Sequence, residues 1–426
     1  MTTAMGDIQL GCIADDYNGA TDLANNLVRS GMRAIQTIGV PADRLQADVH
    51  AVVVALKSRT VPKADAIAQS LAALRWLQAQ GARQIYFKYC STFDSTTEGN
   101  IGPVAEALLD ALGADFTIAT PAFPDNGRTV FKGYLFAGDA LLNESGMQDH
   151  PLTPMKDANL VRVLQSQCER RVGLIDYRVV AKGADAIRAR IDALKAQGVA
   201  IAIVDAISND DLMRLGPALR DMPLVTAGSG VAIGLPANFG LSASNAASEL
   251  PRAYGSQAIV SGSCSLATNR QVRAFGASGG ESFRVDPRSI ARGDDVVGAA
   301  LAWAVGRLAT KPVLIYSTAA PDEVKTIQQM LGGHAAGAAT EGALAAIARG
   351  LVERGVGQLV VAGGETAGAC VQALGVEQLR IGAQIDPGVP WCHARTPFAA
   401  QGVHLALKSG NFGSDDFFTR AFSILA

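Results

Sequence analysis

No stretch of about 18 residues is both apolar and uncharged, so the sequence offers no membrane-spanning helix. Nor does it open on a basic region, an apolar segment and a cleavage site, so no secretory signal is expected. Cysteine is sparse: Cys12, Cys90, Cys168, Cys264, Cys370 and Cys392 are scattered, without a CxxC pair. That excludes a disulfide framework or structural zinc and suits a reducing, cytoplasmic location. The five histidines never fall as HxxxH, which argues against a His-rich catalytic metal centre. With 37 Lys+Arg against 39 Asp+Glu the formal charge is -2, and no basic block invites nucleic acid. GxGxxG at a strand–helix junction and GxxxxGK[ST] are both missing.

What is present is a chain of 426 residues, 49% hydrophobic and 18% charged. That length exceeds what one hydrophobic core serves, so two domains are expected, at 1–240 and 241–426. Apolar runs alternate with helical periodicity at intervals of about 30 residues, the rhythm of βα units. The expected fold class is α/β: two domains, each a mostly parallel or mixed sheet flanked by helices, with the active site in the cleft between them. Residues 120–160 break the rhythm, with a hairpin expected at Thr129–Phe131 against Tyr134–Phe136 and a long loop over NESGMQDHPLTPM. The Gly, Ala, Ser and Pro-rich stretch 228–256 contains the domain boundary. Beyond it, a helix near Val324–Leu331 and closing strands at Leu379–Gln384 and His404–Lys408 are expected.

The chemistry of the first half centres on LGCIADDYNGATD, residues 10–22. An apolar strand ends in Asp15 and Asp16, and a helix follows. Ligands sit at the carboxyl ends of such strands. Two carboxylates there can bind hydroxyls, hold Mg²⁺ or take a proton. Asp16, Asn18 or Asp22 could instead simply cap the helix. Other strand ends carry Ser58 and Arg59; Lys88 with Ser91, Thr92, Asp94, Ser95 and Thr96; and Thr120 with Asp125, Asn126 and Arg128. Parallel strands bring such ends to one edge, where an acidic corner facing a basic one suits an anionic polyol. The alternative is that Arg59 and Lys88 are structural partners of Asp15 and Asp16. His150, between Asp and Pro in a loop, suits a surface or lid better than a catalytic base.

The second half carries three glycine-rich turns: SGSCS at 261–265, GGETAG at 363–368, and SGNFG at 409–413 after Lys408. Glycines before a helix let backbone N–H groups approach an anion, and the helix dipole favours phosphate. Ser263, Ser265 and Thr366 add hydroxyls, while Glu365 could hold Mg²⁺ or cap its helix. A polyol-friendly half joined to a phosphate-friendly half suggests phosphoryl transfer.

ADDYNGATDLA, KYCSTFDSTTEGNIGPV, HPLTPM, SGSCSLATNRQV, VVAGGETAG and LALKSGNFG together resemble the four-carbon acid sugar kinase family, in order and over nearly the whole chain. The resemblance is strongest to its 3-oxo-tetronate kinases. It implies an ATP- and Mg²⁺-dependent enzyme that phosphorylates the 4-hydroxyl of a 3-oxo sugar acid. Its partner is a small molecule, not nucleic acid or membrane, and a homodimer is the base-rate expectation. By the resemblance, Asp15, Asp16, Arg59 and Lys88 fall in the acid-sugar site, and Ser91 and Asp94 belong to the polar segment beside them. Ser263, Ser265, Gly363, Gly364, Glu365, Thr366 and Gly410 are the expected nucleotide-binding residues, and no metal ligand is assigned. Asp16, with Asp15, is the expected catalytic carboxylate. The chain has Tyr17-Asn18 where the family usually has Phe-Thr. Among the rivals, an aldolase would need Lys88 as a Schiff base, and an aspartyl phosphatase would need DxD where this pair is adjacent.

Overall fold

A computed structural model describes residues 8–45, 48–93, 96–149, 153–320, 323 and 333–425. Asp94, Ser95, His150 and the expected helix near Val324–Leu331 lie outside the described residues. Two compact units are present, Met1–Ser248 and Glu249–Ala426, and they divide within the Gly/Ser-rich stretch 228–256. Among the described residues no helix is long and apolar enough to cross a membrane.

The strands of the first unit are β1 (Leu10–Ala14), β2 (Ala34–Ile38), β3 (Ala51–Ala55), β4 (Gln84–Lys88), β5 (Thr117–Thr120), β6 (Arg128–Phe131), β7 (Tyr134–Ala137), β8 (Ala140–Leu141), β9 (Arg171–Ile175), β10 (Val199–Val204) and β11 (Leu224–Ala227). Eight of them form a parallel sheet in the order β2-β3-β1-β4-β11-β5-β10-β9. LGCIA of β1 and AVVVA of β3 are buried along their whole length. Such unbroken apolar runs are what a parallel sheet covered on both faces requires. The chain passes from β1 outward to β2, returns at β3, and then crosses to β4 on the other side of β1. That reversal opens a crevice at the carboxyl end of β1.

The expected hairpin forms with Thr129 opposite Phe136 and Phe131 opposite Tyr134. A third short strand, β8, joins it. Buried Asp205 anchors this small sheet, its carboxylate accepting from the backbone N–H groups of Lys132, Gly133 and Tyr177.

The second unit contains β12 (Ser256–Ser261), β13 (Glu281–Arg284), β14 (Val313–Tyr316), β15 (Val356–Ala362), β16 (Gln378–Asp386), β17 (Val389–Thr396) and β18 (Ala399–Lys408). Their order is β13-β14-β12-β15-β18-β17-β16. The first five run parallel, and β17 and β16 add antiparallel at one side. The closing strands are longer than expected, and β17 is an additional one. Pro387-Gly388 turns β16 into β17, with Gly388 at a φ of 76°, as a Pro-Gly turn demands. Trp391 of β17 is fully buried and donates its indole N–H to Ala421 O at 2.8 Å, which docks the C-terminal segment on the core. Phe275, Leu314, Val360, Phe417 and Phe418 pack in the same cluster.

Candidate active site

At the carboxyl edge of the first unit the parallel register sets Ala14 beside Ala55 on one side and Lys88 on the other. The backbone carries that registry past the strands: Asp15 N donates to Lys88 O at 3.1 Å, and Ser58 N to Asp15 O at 3.0 Å. Three of the expected strand ends therefore meet, although they lie far apart in sequence. Arg59 forks onto Asp15, Nε to Oδ2 at 2.9 Å and Nη2 to Oδ1 at 3.0 Å, and Nη2 also pairs with Asp16. The structural ion pair that the sequence left open is thus formed by Arg59.

Asp16 also caps the helix Tyr17–Arg29, its Oδ1 accepting from Gly19 N. The other oxygen of Asp16 faces the space beside Gly19, where a Cβ would lie 3.0 Å from Oδ2 and in collision with Lys88 Nζ. Glycine at this position is what admits the buried lysine to the acidic corner. Ser91 is half-buried just beyond Lys88. Asp125 is turned elsewhere, accepting from Asn209 Nδ2 at 2.7 Å with Arg29 at 3.8 Å. Arg128 donates to Asn126 O.

One buried group here escaped sequence reasoning, and another, Asp22, was expected only as a possible helix cap, a place that Asp16 takes. Asn100 Nδ2 donates to Ser58 O, Arg59 O and Val61 O at 3.0, 3.2 and 2.9 Å, fixing the loop that presents Arg59. Asp22 lies buried and accepts from Ser229 Oγ. Burial pushes its carboxyl above the ordinary value, against the pull of Lys88 and that hydrogen bond. The Asn-Ile helix start at 100–101 was a weak signal for the first group, and for Asp22 the local signal pointed to capping and not to its bond with Ser229, 207 positions away. A small pocket between Asp15, Ser58, Arg59, Asn100, Ile101 and Val104 adjoins the corner.

In the second unit, β12, β15 and β18 lie side by side and end level, Ser261 beside Ala362 and Ala362 beside Lys408. All three glycine-rich turns therefore emerge at one sheet edge. Gly363 has a φ of 125°, and a Cβ there would sit 2.9 Å from Thr366 Oγ1 and 3.1 Å from Ser263 N. A Cβ on Gly410 would sit 2.7 Å from Ser263 Oγ, and one on Gly262 would clash with Thr366 Oγ1. Three backbones thus approach more closely than side chains would permit.

No side chain caps the helix Gly364–Ala373, which begins at this edge with Gly364 and Glu365 exposed and Thr366 buried. An uncapped N-terminus of that length, met by glycines, is suited to an anion. Ser265, by contrast, is committed locally. It caps the helix Leu266–Ala277 through Thr268 N at 3.1 Å and donates to Gly410 O. Ser263 Oγ lies 3.3 Å from Ser265 Oγ and 3.1 Å from Thr268 Oγ1 in the same network. These serines brace the turns instead of pointing free hydroxyls outward. Thr268 and Lys408, which complete the network, were not expected site residues.

Residues 10–235 match the family model of a sugar-binding N-terminal domain, and residues 258–418 that of a nucleotide-binding C-terminal domain. A sugar-binding domain followed in one chain by a nucleotide-binding one, with the kinases that the whole chain matches, makes this an enzyme of the kinase class that uses ATP. The chain is 61% identical to a 3-oxo-tetronate kinase of Burkholderia multivorans, over all of this chain and 99% of that one. It is 58% identical to a 3-oxo-tetronate kinase of Cupriavidus necator, covering 97% and 96%. A crystal structure of a Haemophilus influenzae protein superposes with a TM-score of 0.83 at 44% identity, covering 98% of this chain and 100% of that one. The chain belongs to the 3-oxo-tetronate kinase family.

Proposed function

We propose that this protein transfers the γ-phosphoryl group of ATP to the 4-hydroxyl of a four-carbon 3-oxo sugar acid. The observation that carries the reading is the division of chemistry between the units. One gathers two carboxylates and two cations at a strand-end crevice, and the other gathers three glycine turns at a sheet edge. The whole-length likeness to 3-oxo-tetronate kinases favours the 3-oxo acid over threonate or erythronate.

Phosphoryl transfer needs positioning and charge stabilisation more than covalent chemistry. In this reading Asp16, whose side chain is partly exposed, accepts the hydrogen bond of the substrate hydroxyl and aligns it. Asp15 is spent on holding Arg59, and Arg59 in turn orients both acids. The substrate carboxylate then falls to Lys88, with the polar segment after it, including Ser91, binding the remaining hydroxyls. Gly363, Gly364, Thr366 and Gly410 bring backbone N–H groups to the triphosphate, with Ser263 and Ser265 behind them.

Among the described residues no three His, Cys, Asp or Glu side chains form a metal cage. Mg²⁺ delivered on the nucleotide keeps several waters and needs only one or two protein oxygens, which exposed Glu365 would supply. Held there, the ion would supply charge neutralisation at the phosphate oxygens.

A substrate screen tests the reading: ATP consumption with both 3-oxo-tetronates, threonate and erythronate, with the phosphorylated carbon located by ³¹P NMR. The 3-oxo acid is expected to lead in kcat/KM by about 10²-fold or more, since a site built for a polar group discriminates strongly. Preference for threonate would overturn the substrate, and no ATP consumption with any four-carbon acid would overturn the kinase.

A second expectation concerns Lys88. Gly19→Ala places a methyl group where Nζ now sits and moves the flexible end of the lysine aside. KM for the sugar acid is expected to rise about 10-fold, the worth of one charge-assisted contact, with ADP affinity unchanged. An unaltered KM would remove Lys88 from carboxylate binding.

A further inference from the structure

Lys408, the last residue of β18, is fully buried beneath the three glycine-rich turns of the second unit. Its Nζ lies 3.0 Å from each of three oxygens, Thr268 Oγ1, Ser409 O and Gly410 O; the neutral amine donates to two of them and the protonated form to all three. Two of the three belong to the bracing network: Thr268 Oγ1 also donates to Gly410 O at 2.8 Å, and Ser265 Oγ donates to the same carbonyl. The backbone of Lys408 is engaged as well, its carbonyl accepting from Gly363 N at 2.9 Å. One residue thus touches or braces all three turns.

A buried charge is costly unless paired, and among the described residues no carboxylate makes an ion pair with this nitrogen. The charged groups of the surrounding elements are directed elsewhere. On the helix Leu266–Ala277, Arg270 is exposed and paired with Asp415, and Arg273 is exposed. Glu365 is exposed on the helix Gly364–Ala373. In the C-terminal segment Asp386 is held by Arg420 and Ser414, and Asp416 is exposed. The surrounding elements also carry thiols and a histidine: Cys264 in the first turn, Cys370 on the helix Gly364–Ala373, Cys392 on β17 and His404 earlier on β18. Burial pushes the three thiols up and the imidazole down, so all four are neutral near pH 7. β12 and β15 carry no titratable side chain. The missing counter-charge is what the phosphates of a nucleotide would supply at the adjacent sheet edge.

We propose that Lys408 is the positioning cation of the nucleotide site, bracing the three turns and taking up a proton from solvent when the nucleotide's phosphates bind beside it. The proposal rests on the nucleotide-binding reading of these turns. Burial holds the free lysine down at about 7, so above that pH it is largely neutral before the nucleotide arrives. An anion nearby favours the charged form and raises its titration point. By linkage, affinity is flat below about 7, where free and bound states are both protonated. It then falls as pH rises toward the bound titration point, by up to about 10-fold per pH unit.

Calorimetry of Mg·ADP binding in buffers of differing ionisation enthalpy tests this at about pH 8, where the nucleotide itself is fully ionised. The wild-type protein is expected to take up close to one proton per site. Lys408→Met keeps the length of the stem and removes the charge. It is expected to abolish that uptake and the matching limb of the pH profile, and to weaken Mg·ADP about 30-fold or more. KM for the sugar acid should change little. If Lys408→Met does not fold, the wild-type measurement decides alone. Tight binding with no proton uptake would overturn the role of Lys408 and leave the nucleotide site standing. No binding of Mg·ADP to the wild-type protein would overturn both.

Discussion

Replacing Asp16 by asparagine is expected to lower kcat about 10³-fold while Mg·ADP binds as tightly as before. The choice of asparagine separates two jobs that one side chain performs. As the N-cap of the helix Tyr17–Arg29, Asp16 accepts from Gly19 N, and asparagine caps a helix equally well. The fold should therefore survive. What is lost is the second oxygen, the one paired with Arg59, which in the proposed reading aligns the hydroxyl. Asp15 retains its own two contacts to Arg59, so the guanidinium is not released. Steady-state kinetics with a thermal melt as control would decide the matter. A kcat within about 3-fold of normal would remove Asp16 from the reaction.

Gly363→Val is expected to weaken nucleotide binding about 100-fold or more while leaving the acceptor site intact. Two physical effects combine at this position. A φ of 125° is strained for any residue with a Cβ, and most for a β-branched one. The new Cβ would also crowd Thr366 Oγ1 and Ser263 N, so two turns must separate. Because Gly363 N is tied to Lys408 O, the disturbance reaches the third. The measurement is Mg·ADP affinity by calorimetry, set beside the protection of the first unit by sugar acid in a thermal melt. Normal ADP affinity would place the nucleotide elsewhere. Gly364 is exposed and already helical, so the tighter constraint falls on its neighbour.

Much of this organisation was legible in the chain. Each βα unit announced itself through a run of apolar residues or a helical period, because those patterns lie within one short contiguous stretch of chain. The hairpin at Thr129–Phe136 was readable for the same reason. The strand β17 was not. Its VPWCHART mixes Pro, Trp, His and Arg, and its burial depends on a cluster assembled from Phe417, Phe418 and Phe422 farther along. Asp-Pro-Gly at 386–388 was the available signal, a turn motif that marks a hairpin. In the acceptor site, the residue types around Asp15, Asp16, Arg59 and Lys88 were visible, but their pairing was not. Whether Arg59 meets a ligand or its own acids depends on contacts between groups 44 positions apart.

The sequence by itself determined the alternation of strands and helices, the acidic end of β1, and the glycine turns after three apolar runs. All of these follow from composition and periodicity within short windows. Tertiary structure alone decided which ends meet, that Arg59 belongs to the two acids, that Ser265 braces a turn, and that Lys408 is buried without an acid. Those outcomes depend on strand register and on exclusion of water, and neither is a property of any local stretch of chain.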